Sequence, residues 1–289
     1  MMQSKVLADA ATVIAWASSA QPLVLLDCRF DLSDPALGER QHRERHPVGA
    51  IHVHLDRDLA GGKTHAASHP SFPGRHPLPD RRTFAATVGT WGIGPDTPVV
   101  TFDAHGSPYA ARAWWLLKWL GHDPVFVLDG GLSAWTQAGG ALTSNVTPTR
   151  SLAPYPNRPQ GMPTIGVTEL ARAWPQHRIV DARSPDRFRG DNEVIDPVAG
   201  HIPGAVNRFF KHNLDLDGKF KSSAVLQREW LDVFGGTHAA QVVQQCGSGV
   251  TACQNILAAM HAGLPPTALH AGSWSEWSAD PGRPTAIGD

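Results

Sequence analysis

Short apolar runs alternate with longer stretches of helical length along the chain. The strand-sized runs include PVVTF, PVFVL, RIVDA and AQVVQQ, and the helix-sized stretches include YAARAWWLLKWLGH and ACQNILAAMHAGL. The two helical stretches reach Gly121 and Gly263, as expected for helix C-termini. Because strands and helices alternate, we predict an α/β fold with helices packed on a mainly parallel sheet.

The first half of the pattern recurs in the second half. Four pairs of segments match in the same order: PLVLLDCRF with RIVDARSPDRF, HPVGAIHV with HIPGAVNR, TPVVTFDAHG with AQVVQQCGSG, and LDGGLSAW with HAGSWSEW. An ordered repeat of this kind predicts two related domains. We place them at residues 1–145 and 164–289, joined by a linker over 146–163, because the stretch 143–163 is rich in Pro, Thr, Ser and Asn and has no hydrophobic period.

Composition excludes several classes of function. The 289 residues carry a net charge of −1, so there is no basic excess for nucleic acid. No apolar run approaches the ~20 residues of a membrane span, and we interpret the N-terminal stretch as the first helix of the fold rather than a signal segment. Three cysteines do not form a disulfide framework and are typical of a cytoplasmic protein. The fifteen histidines are scattered, without CxxC or HExxH, so neither a metal nor another bound cofactor is expected.

The segment QQCGSGVTACQNI places Cys246 between an apolar strand and a helix. Ligands of open α/β sheets bind at such carboxyl ends of strands. Gly247 and Gly249 permit a tight turn with uncovered amide groups, which would bind an anion and stabilise a thiolate. Ser248 and Thr251 add hydroxyl groups to the same loop. We therefore interpret Cys246 as a nucleophile, with a buried structural cysteine as the alternative.

Other cysteine chemistry fits less well. A cysteine phosphatase needs an arginine six residues after the cysteine to clamp the phosphate, and that position holds Ala252. Cys28 and Cys253 lack the glycine-rich loop and are interpreted as structural. In the first half of the repeat, Asp103 occupies the position of Cys246.

Taken together, these motifs resemble the tandem-domain rhodanese family of sulfurtransferases over nearly the whole chain. The matching segments are DARSPDRF, GHIPGAVN, CGSGVTAC and GSWSEW in the second half, and GRHPLPD, AARAWWLLKWLGH and VLDGGLSAW in the first. The resemblance implies two rhodanese-like domains, each a mainly parallel sheet flanked by helices. The first is expected to be inactive because it carries Asp103, and the second to be catalytic.

The resemblance also implies a mechanism. Cys246 would take a sulfane sulfur as a persulfide and pass it to cyanide or a thiol, with that of thioredoxin among the candidates. The backbone amides of Gly247, Gly249, Val250 and Thr251 would hold the negative outer sulfur. No cofactor is implied apart from this covalent intermediate.

The loop type indicates the sulfur donor. CGSGVT resembles the loop of 3-mercaptopyruvate sulfurtransferases, whereas thiosulfate enzymes tend to carry two cations in a CRKGVT loop. By the same resemblance, Arg187 would hold the donor carboxylate, and Ser248 and His46 would belong to a Ser–His–Asp relay. An ion pair of Arg187 with Asp186 or Asp191 is the structural alternative.

Two departures from the family pattern keep other functions open. The second arginine expected roughly ten residues after Arg187 is missing, and the acid of the relay has only Asp34 and Glu39 as candidates. Thiosulfate is therefore the alternative donor, and a non-catalytic rhodanese-like binding module is the second alternative. Asp181 and Arg183 are interpreted as a structural pair.

Overall fold

A computed structural model describes residues 6–19, 21–62, 69, 71–146 and 148–289. The chain forms two compact units. The first contains 1–60, 79–161 and 215–220, and the second contains 61–78, 162–214 and 221–289. The units thus differ from the predicted domains in two short segments, 61–78 and 215–220, which cluster with the other half of the chain.

The first unit is built on a five-stranded parallel sheet. The strands of this unit, including two that lie outside that sheet, are β1 (Leu7–Ala8), β2 (Val24–Asp27), β3 (His46–Pro47), β4 (Ala50–His52), β5 (Val99–Phe102), β6 (Val125–Leu128) and β7 (Leu142–Thr143). Its helices are α1 (Ala10–Ala17), α2 (Leu37–Glu44), α3 (Leu55–Asp58), α4 (Arg81–Thr90), α5 (Pro108–Leu120) and α6 (Gly131–Gln137). The strand order is β1-β6-β5-β2-β4, and β3 and β7 form a separate antiparallel pair.

The second unit repeats the plan with a four-stranded parallel sheet. Its strands are β8 (Arg178–Asp181), β9 (Val206–Asn207), β10 (Val242–Gln245) and β11 (Ala268–Leu269). Its α-helices are α7 (Val167–Ala173), α8 (Pro185–Arg189), α9 (Ser223–Phe234), α10 (Thr251–His261) and α11 (Ser273–Trp277), with 3₁₀ turns at Trp174–Gln176, Phe210–Asn213 and Ala239–Gln241. The order β11-β10-β8-β9 places β10 inside the sheet. The parallel sheets flanked by helices confirm the predicted fold class.

The predicted helices form for recognisable local reasons. Helix α1 begins where the Asp9 side chain accepts the amide of Thr12, which confirms a helix near the N-terminus. Helix α5 begins at Pro108 and ends at Gly121, which adopts a left-handed conformation. Trp114 and Trp115 are fully buried, so this helix is held by the core on nearly all sides.

In each sheet, one interior strand ends in the same kind of buried ion pair. Asp27 at the end of β2 accepts hydrogen bonds from the guanidinium of Arg29. Asp181 at the end of β8 accepts them from Arg183, at 2.7–3.1 Å, and from Nε2 of Gln245 at 2.9 Å. In each pair the two buried charges compensate each other. The pairs also hold the ends of β2 and β8, which neighbour the strands that lead into the Asp103 and Cys246 loops.

The predicted linker packs on the first unit. Tyr155 is buried, its amide donates to the carbonyl of Ala85 on α4, and its hydroxyl lies 3.1 Å from Nδ1 of His122. The amide of Leu152 likewise donates to the carbonyl of Gly89. The lack of hydrophobic periodicity predicted the irregular backbone of this segment. The buried Tyr155 ring and the backbone hydrogen bonds attach the segment to the first unit.

Candidate active site

Cys246 begins the loop between β10 and α10. Its side chain is buried, with only 2% of the residue exposed. The amide of Cys246 donates to Oγ of Ser273 at 3.1 Å, and the amide of Gly249 points at Sγ of Cys246 at 3.1 Å. The loop is thereby folded around the sulfur.

The start of helix α11 and the residues before it support this loop. The carbonyls of Cys246 and Gly247 accept the amides of Trp274 and Ser275, each at 3.0 Å. Gly249 has φ +73°, and a Cβ placed on it would lie 2.2 Å from the carbonyl oxygen of Ala271. Only glycine fits this close approach. The sequence predicted a tight glycine-rich turn here, and the structure adds the contact with Ala271 as the reason for glycine at position 249.

The remaining loop amides form the predicted nest. Within the described part of the chain, the backbone N–H groups of Gly247, Ser248, Val250 and Thr251 donate to no protein acceptor. Thr251 begins α10, so the positive end of that helix adds to the same region. The loop therefore has several amide donors close to Cys246 in the chain that are available to an anion.

The equivalent loop of the first unit is filled by its own side chain. The Asp103 carboxylate accepts the amides of His105, Ser107, Tyr109 and Ala110 at 2.9–3.0 Å. Burial raises the pKa of Asp103, and these amides oppose that shift. The first unit thus keeps the anion-binding loop but occupies it with its own carboxyl group.

The histidine beside Ser248 is His76. Its Nδ1 lies 2.8 Å from Oγ of Ser248, and both residues are buried in the second unit. His46, the histidine predicted from the sequence, lies in the first unit, where its ring stacks on that of His42 with a centroid distance of 3.8 Å and its Nδ1 bonds to the His42 carbonyl. The structure therefore brings His76 into contact with Ser248, and the role of His46 stays a prediction.

The signal for His76 was present in the sequence. The segment GRHPLPD contains it and was already recognised as a matching motif. The candidates for the acid of the relay, Asp34 and Glu39, form ion pairs at the surface of the first unit with Arg40 and Arg43.

Arg187 lies against the loop but is already paired. Its guanidinium contacts Glu193 through Nε and Nη2, with the shorter distances at 2.9 Å, and Oδ2 of Asp196 at 3.0 Å. The alternative partners named from the sequence are engaged elsewhere, since Asp191 binds Arg189 and Asp186 binds Asn192. Arg187 is thus ion-paired, but with buried partners that the sequence did not single out.

A second arginine, Arg75, was not found from the sequence. A Cβ placed on Gly247 would lie 2.8 Å from Nη2 of Arg75 and 3.5 Å from Nη2 of Arg187, so both guanidiniums flank the residue after Cys246. Arg75 also contacts Oδ1 of Asp196. A second guanidinium therefore lies beside the loop, and it comes from segment 71–78 and not from the residues after Arg187.

Burial dominates the electrostatics of this cluster. It lowers the pKa of Arg75, while the charge of Asp196 opposes the shift. It raises the pKa of Asp196, against the effect of Arg75 and Arg187. Burial also opposes ionisation of Glu193, but the Asp196 amide and Arg187 outweigh it and lower the Glu193 pKa. Charges here act with little screening.

The remaining residues support the site. Trp274 is fully buried in the core of the second unit, and its Nε1 donates to the carbonyl of Val198 at 2.8 Å. The guanidinium of Arg183 lies 5.0 Å from the Trp274 ring. Among the described residues, no group of His, Cys, Asp or Glu is placed to hold a metal ion, and no helix is long and apolar enough to cross a membrane.

Known proteins share both the repeat and the fold. The family model of the rhodanese-like domain matches residues 10–138 and 167–280. A Pseudomonas aeruginosa protein provisionally named as a 3-mercaptopyruvate sulfurtransferase is 44% identical over 274 residues, 94% of each chain. A Mycobacterium tuberculosis protein provisionally named as a thiosulfate sulfurtransferase is 37% identical over 99% of this chain and 98% of its own.

A solved structure gives the same result in three dimensions. The 3-mercaptopyruvate sulfurtransferase from Leishmania major superposes with a TM-score of 0.83 at 31% identity, covering 95% of this chain and 74% of that one. The repeated parallel sheets and the nest around Cys246 agree with these similarities. The chain therefore belongs to the rhodanese family, with two rhodanese-like domains, and is a sulfurtransferase.

Proposed function

We propose that the protein transfers a sulfane sulfur from 3-mercaptopyruvate to a thiophilic acceptor through a persulfide on Cys246. One observation carries the proposal. Cys246 is buried in a loop in which the amide of Gly249 is directed at its sulfur and other amides have no described acceptor, whereas the matching loop of the first unit is filled by Asp103. The nest in the second unit is thus suited to an external sulfur.

In the first half-reaction the Cys246 thiolate attacks the sulfur of the donor. A new S–S bond forms, the donor C–S bond breaks, and its electron pair leaves as the enolate of pyruvate. A proton on the enolate carbon then gives pyruvate, and Cys246 carries the persulfide. The amides of Gly247, Gly249, Val250 and Thr251 stabilise the outer sulfur when it is negatively charged.

In the second half-reaction the acceptor attacks the outer sulfur. Cyanide becomes thiocyanate, or a thiolate becomes a persulfide, and the S–S bond electrons return to Cys246 as a thiolate. No net oxidation of the protein occurs over the cycle. We expect a thiol acceptor in the cell, with thioredoxin as one candidate.

Ser248 and His76 are suited to handle the proton. The 2.8 Å contact between Oγ and Nδ1 places the His76 imidazole against the hydroxyl of Ser248, two residues after Cys246. The pair would donate a hydrogen bond to the donor ketone and relay the proton needed when the enolate forms. Arg187 would hold the donor carboxylate, exchanging part of its contact with Glu193 and Asp196 for the ligand.

Thiosulfate is the second candidate donor because two guanidiniums lie at Gly247. The M. tuberculosis relative is also provisionally named for that activity. With thiosulfate, sulfite leaves in place of the enolate, and no carbon atom has to be protonated. Comparing kcat/KM for the two donors distinguishes the candidates, and a higher value for thiosulfate would overturn the assignment of 3-mercaptopyruvate.

Turnover of variants tests the wider proposal. Cys246→Ser should abolish both pyruvate release from 3-mercaptopyruvate and thiocyanate formation. The matched control is Cys253→Ser, which alters another buried cysteine whose Sγ donates to the Gly249 carbonyl and should retain turnover. Equal activity of Cys246→Ser and the wild type would contradict the proposal, and inactivity of the wild type with both donors would favour a non-catalytic binding module.

We expect the protein to act in the cytoplasm. Cys28, Cys246 and Cys253 are all free thiols, and a persulfide carrier needs its cysteine reduced between cycles. Fractionation of the source cells, followed by detection of the protein, tests this expectation.

A further inference from the structure

A buried carboxylate links the two arginines that flank the active-site loop. Oδ1 of Asp196 contacts Nη1 of Arg75, and Oδ2 lies 3.0 Å from Nη2 of Arg187. The Asp196 side chain is only 2% exposed, and the two guanidiniums are 19% and 17% exposed. Asp196 therefore bridges the two guanidiniums next to Gly247.

The charges of the surrounding cluster balance. Three arginines face three carboxylates through the described ion pairs: Arg75, Arg183 and Arg187 with Asp181, Glu193 and Asp196. A donor that enters beside Gly247 thus meets cations whose charge is already compensated. A buried site in this state tolerates one added negative charge more readily than two, because each further charge is desolvated without a counterion.

We propose that Arg75, Asp196 and Arg187 act together as the donor-selectivity element of the site. Arg75 is a second donor-binding cation, and Asp196 limits the positive charge that the two arginines present. The arrangement selects a monoanionic α-keto acid donor over a dianionic donor such as thiosulfate. This inference rests on the proposed sulfur transfer through Cys246 and specifies which donors reach that residue.

The geometry explains why two arginines need not make a thiosulfate site. Two free guanidiniums beside the nucleophile would suit a dianion, as the cations of a CRKGVT loop do. Here Asp196 occupies one side of both forks. The forks stay oriented toward Gly247 while the charge available to a ligand is reduced.

Removing the charge of Asp196 is the direct test. Asp196→Asn keeps the shape of the side chain and should raise the ratio of kcat/KM for thiosulfate to that for 3-mercaptopyruvate by about tenfold. A unit charge about 6 Å from the donor, at an effective dielectric constant of about 20, would change this ratio by roughly a hundredfold. Solvent screening reduces the expected change to about tenfold. The matched control is Asp191→Asn, a surface carboxylate of the same segment paired with Arg189, which should leave the ratio unchanged.

The role of Arg75 has its own variant. Arg75→Gln should raise KM for both donors by about tenfold while Cys246 still accepts sulfur at saturating donor, since removal of one charge-assisted hydrogen bond has about this effect. Arg189→Gln is the matched control on an exposed arginine. An unchanged KM in Arg75→Gln would overturn the assignment of Arg75 as a binding cation.

Binding of unreactive probes separates this inference from the chemistry. In a Cys246→Ser background, Asp196→Asn should tighten binding of sulfate, a dianion, by about tenfold relative to pyruvate, a monoanion, for the same electrostatic reason. An unchanged ratio, in turnover and in binding alike, with persulfide still forming on Cys246, would overturn the inference and leave the proposed function standing. Failure of wild-type Cys246 to accept sulfur from either donor would contradict the proposed function and this inference with it.

Discussion

Ser248 and His76 lie in hydrogen-bond contact, with Oγ 2.8 Å from Nδ1, in a part of the second unit that sequence reasoning had not connected to the loop. The contact gives the active-site loop a group that can move a proton. We therefore expect the pair to matter for 3-mercaptopyruvate, whose leaving group is a carbon anion that must be protonated, and much less for thiosulfate, whose leaving group is sulfite.

The first prediction concerns this pair. His76→Asn and Ser248→Ala should lower kcat with 3-mercaptopyruvate by about 100-fold, the usual effect of losing a general acid, and lower kcat with thiosulfate much less. Steady-state kinetics with both donors measure the difference. His177→Asn, at a surface histidine of the same unit, is the control. A loss in His46→Asn as large as that in His76→Asn would restore the assignment made from the sequence.

The second prediction concerns the loop glycine. Gly249→Ala should lower kcat/KM by about 100-fold or more, because its Cβ would displace the Ala271 carbonyl and turn the nest away from Cys246. Gly204→Ala is the matched control, since Gly204 has φ +79° but nothing within 4 Å of its Cβ position. It should cost about 1 kcal/mol of stability without a change in turnover. Equal kinetics for the two variants would contradict the role of the close approach.

The third prediction concerns the filled nest of the first unit. Asp103→Ala leaves four amides without their acceptor, two of them in buried contacts, and should reduce the free energy of unfolding by about 3 kcal/mol. Asp103→Asn keeps one acceptor oxygen and should cost less. Urea unfolding of the three proteins measures the series. A cost below about 1 kcal/mol for Asp103→Ala would mean that water replaces the carboxylate.

The fourth prediction concerns how the free energy of unfolding depends on pH through Glu276 on α11 and the nearby His270. Burial raises the pKa of Glu276 to about 7 and lowers the pKa of His270 to about 4, and the two side chains lie 3.9 Å apart. Glu276 contributes stability below its ordinary pKa of 4.5, and this contribution is lost as pH rises through about 7. His270 acts in the opposite direction, because stability is lost as pH falls from 6.5 toward about 4.

In the wild type these two effects offset each other between about pH 4.5 and 6.5. Glu276→Gln should therefore gain about 2 kcal/mol of stability relative to the wild type as pH rises from 4.5 to 7. Urea unfolding at several pH values measures the difference. Glu169→Gln, on the exposed face of α7, is the control. A pH-independent difference for Glu276→Gln would contradict the burial effect on this carboxyl group.

The sequence revealed most of the fold because its signals are local. Apolar runs, terminal glycines and the ordered repeat predicted parallel strands and helices in both halves, and the strand–loop–helix context placed Cys246 at the end of β10. Asp103 was found for the same reason, since the two loops align without a gap.

The parts that the sequence missed depend on distant segments. Arg75 and His76 precede Cys246 by about 170 residues, and only the fold of the second unit brings them to Gly247 and Ser248. The family pattern predicts a second arginine after Arg187, but the chain there supplies Glu193 and Asp196. Chain spacing alone cannot distinguish a cation that is lost from one supplied by another segment.

The central claim is that Cys246 carries the transferred sulfur, and the mass of the intact protein tests it most directly. After brief treatment with 3-mercaptopyruvate and removal of the donor, the wild type should gain one sulfur atom, located on the peptide that contains Cys246. Addition of cyanide should remove it and release thiocyanate, and Cys246→Ser should gain nothing. A wild type that gains no sulfur from either donor, or a Cys246→Ser variant that gains as much as the wild type, would contradict the account.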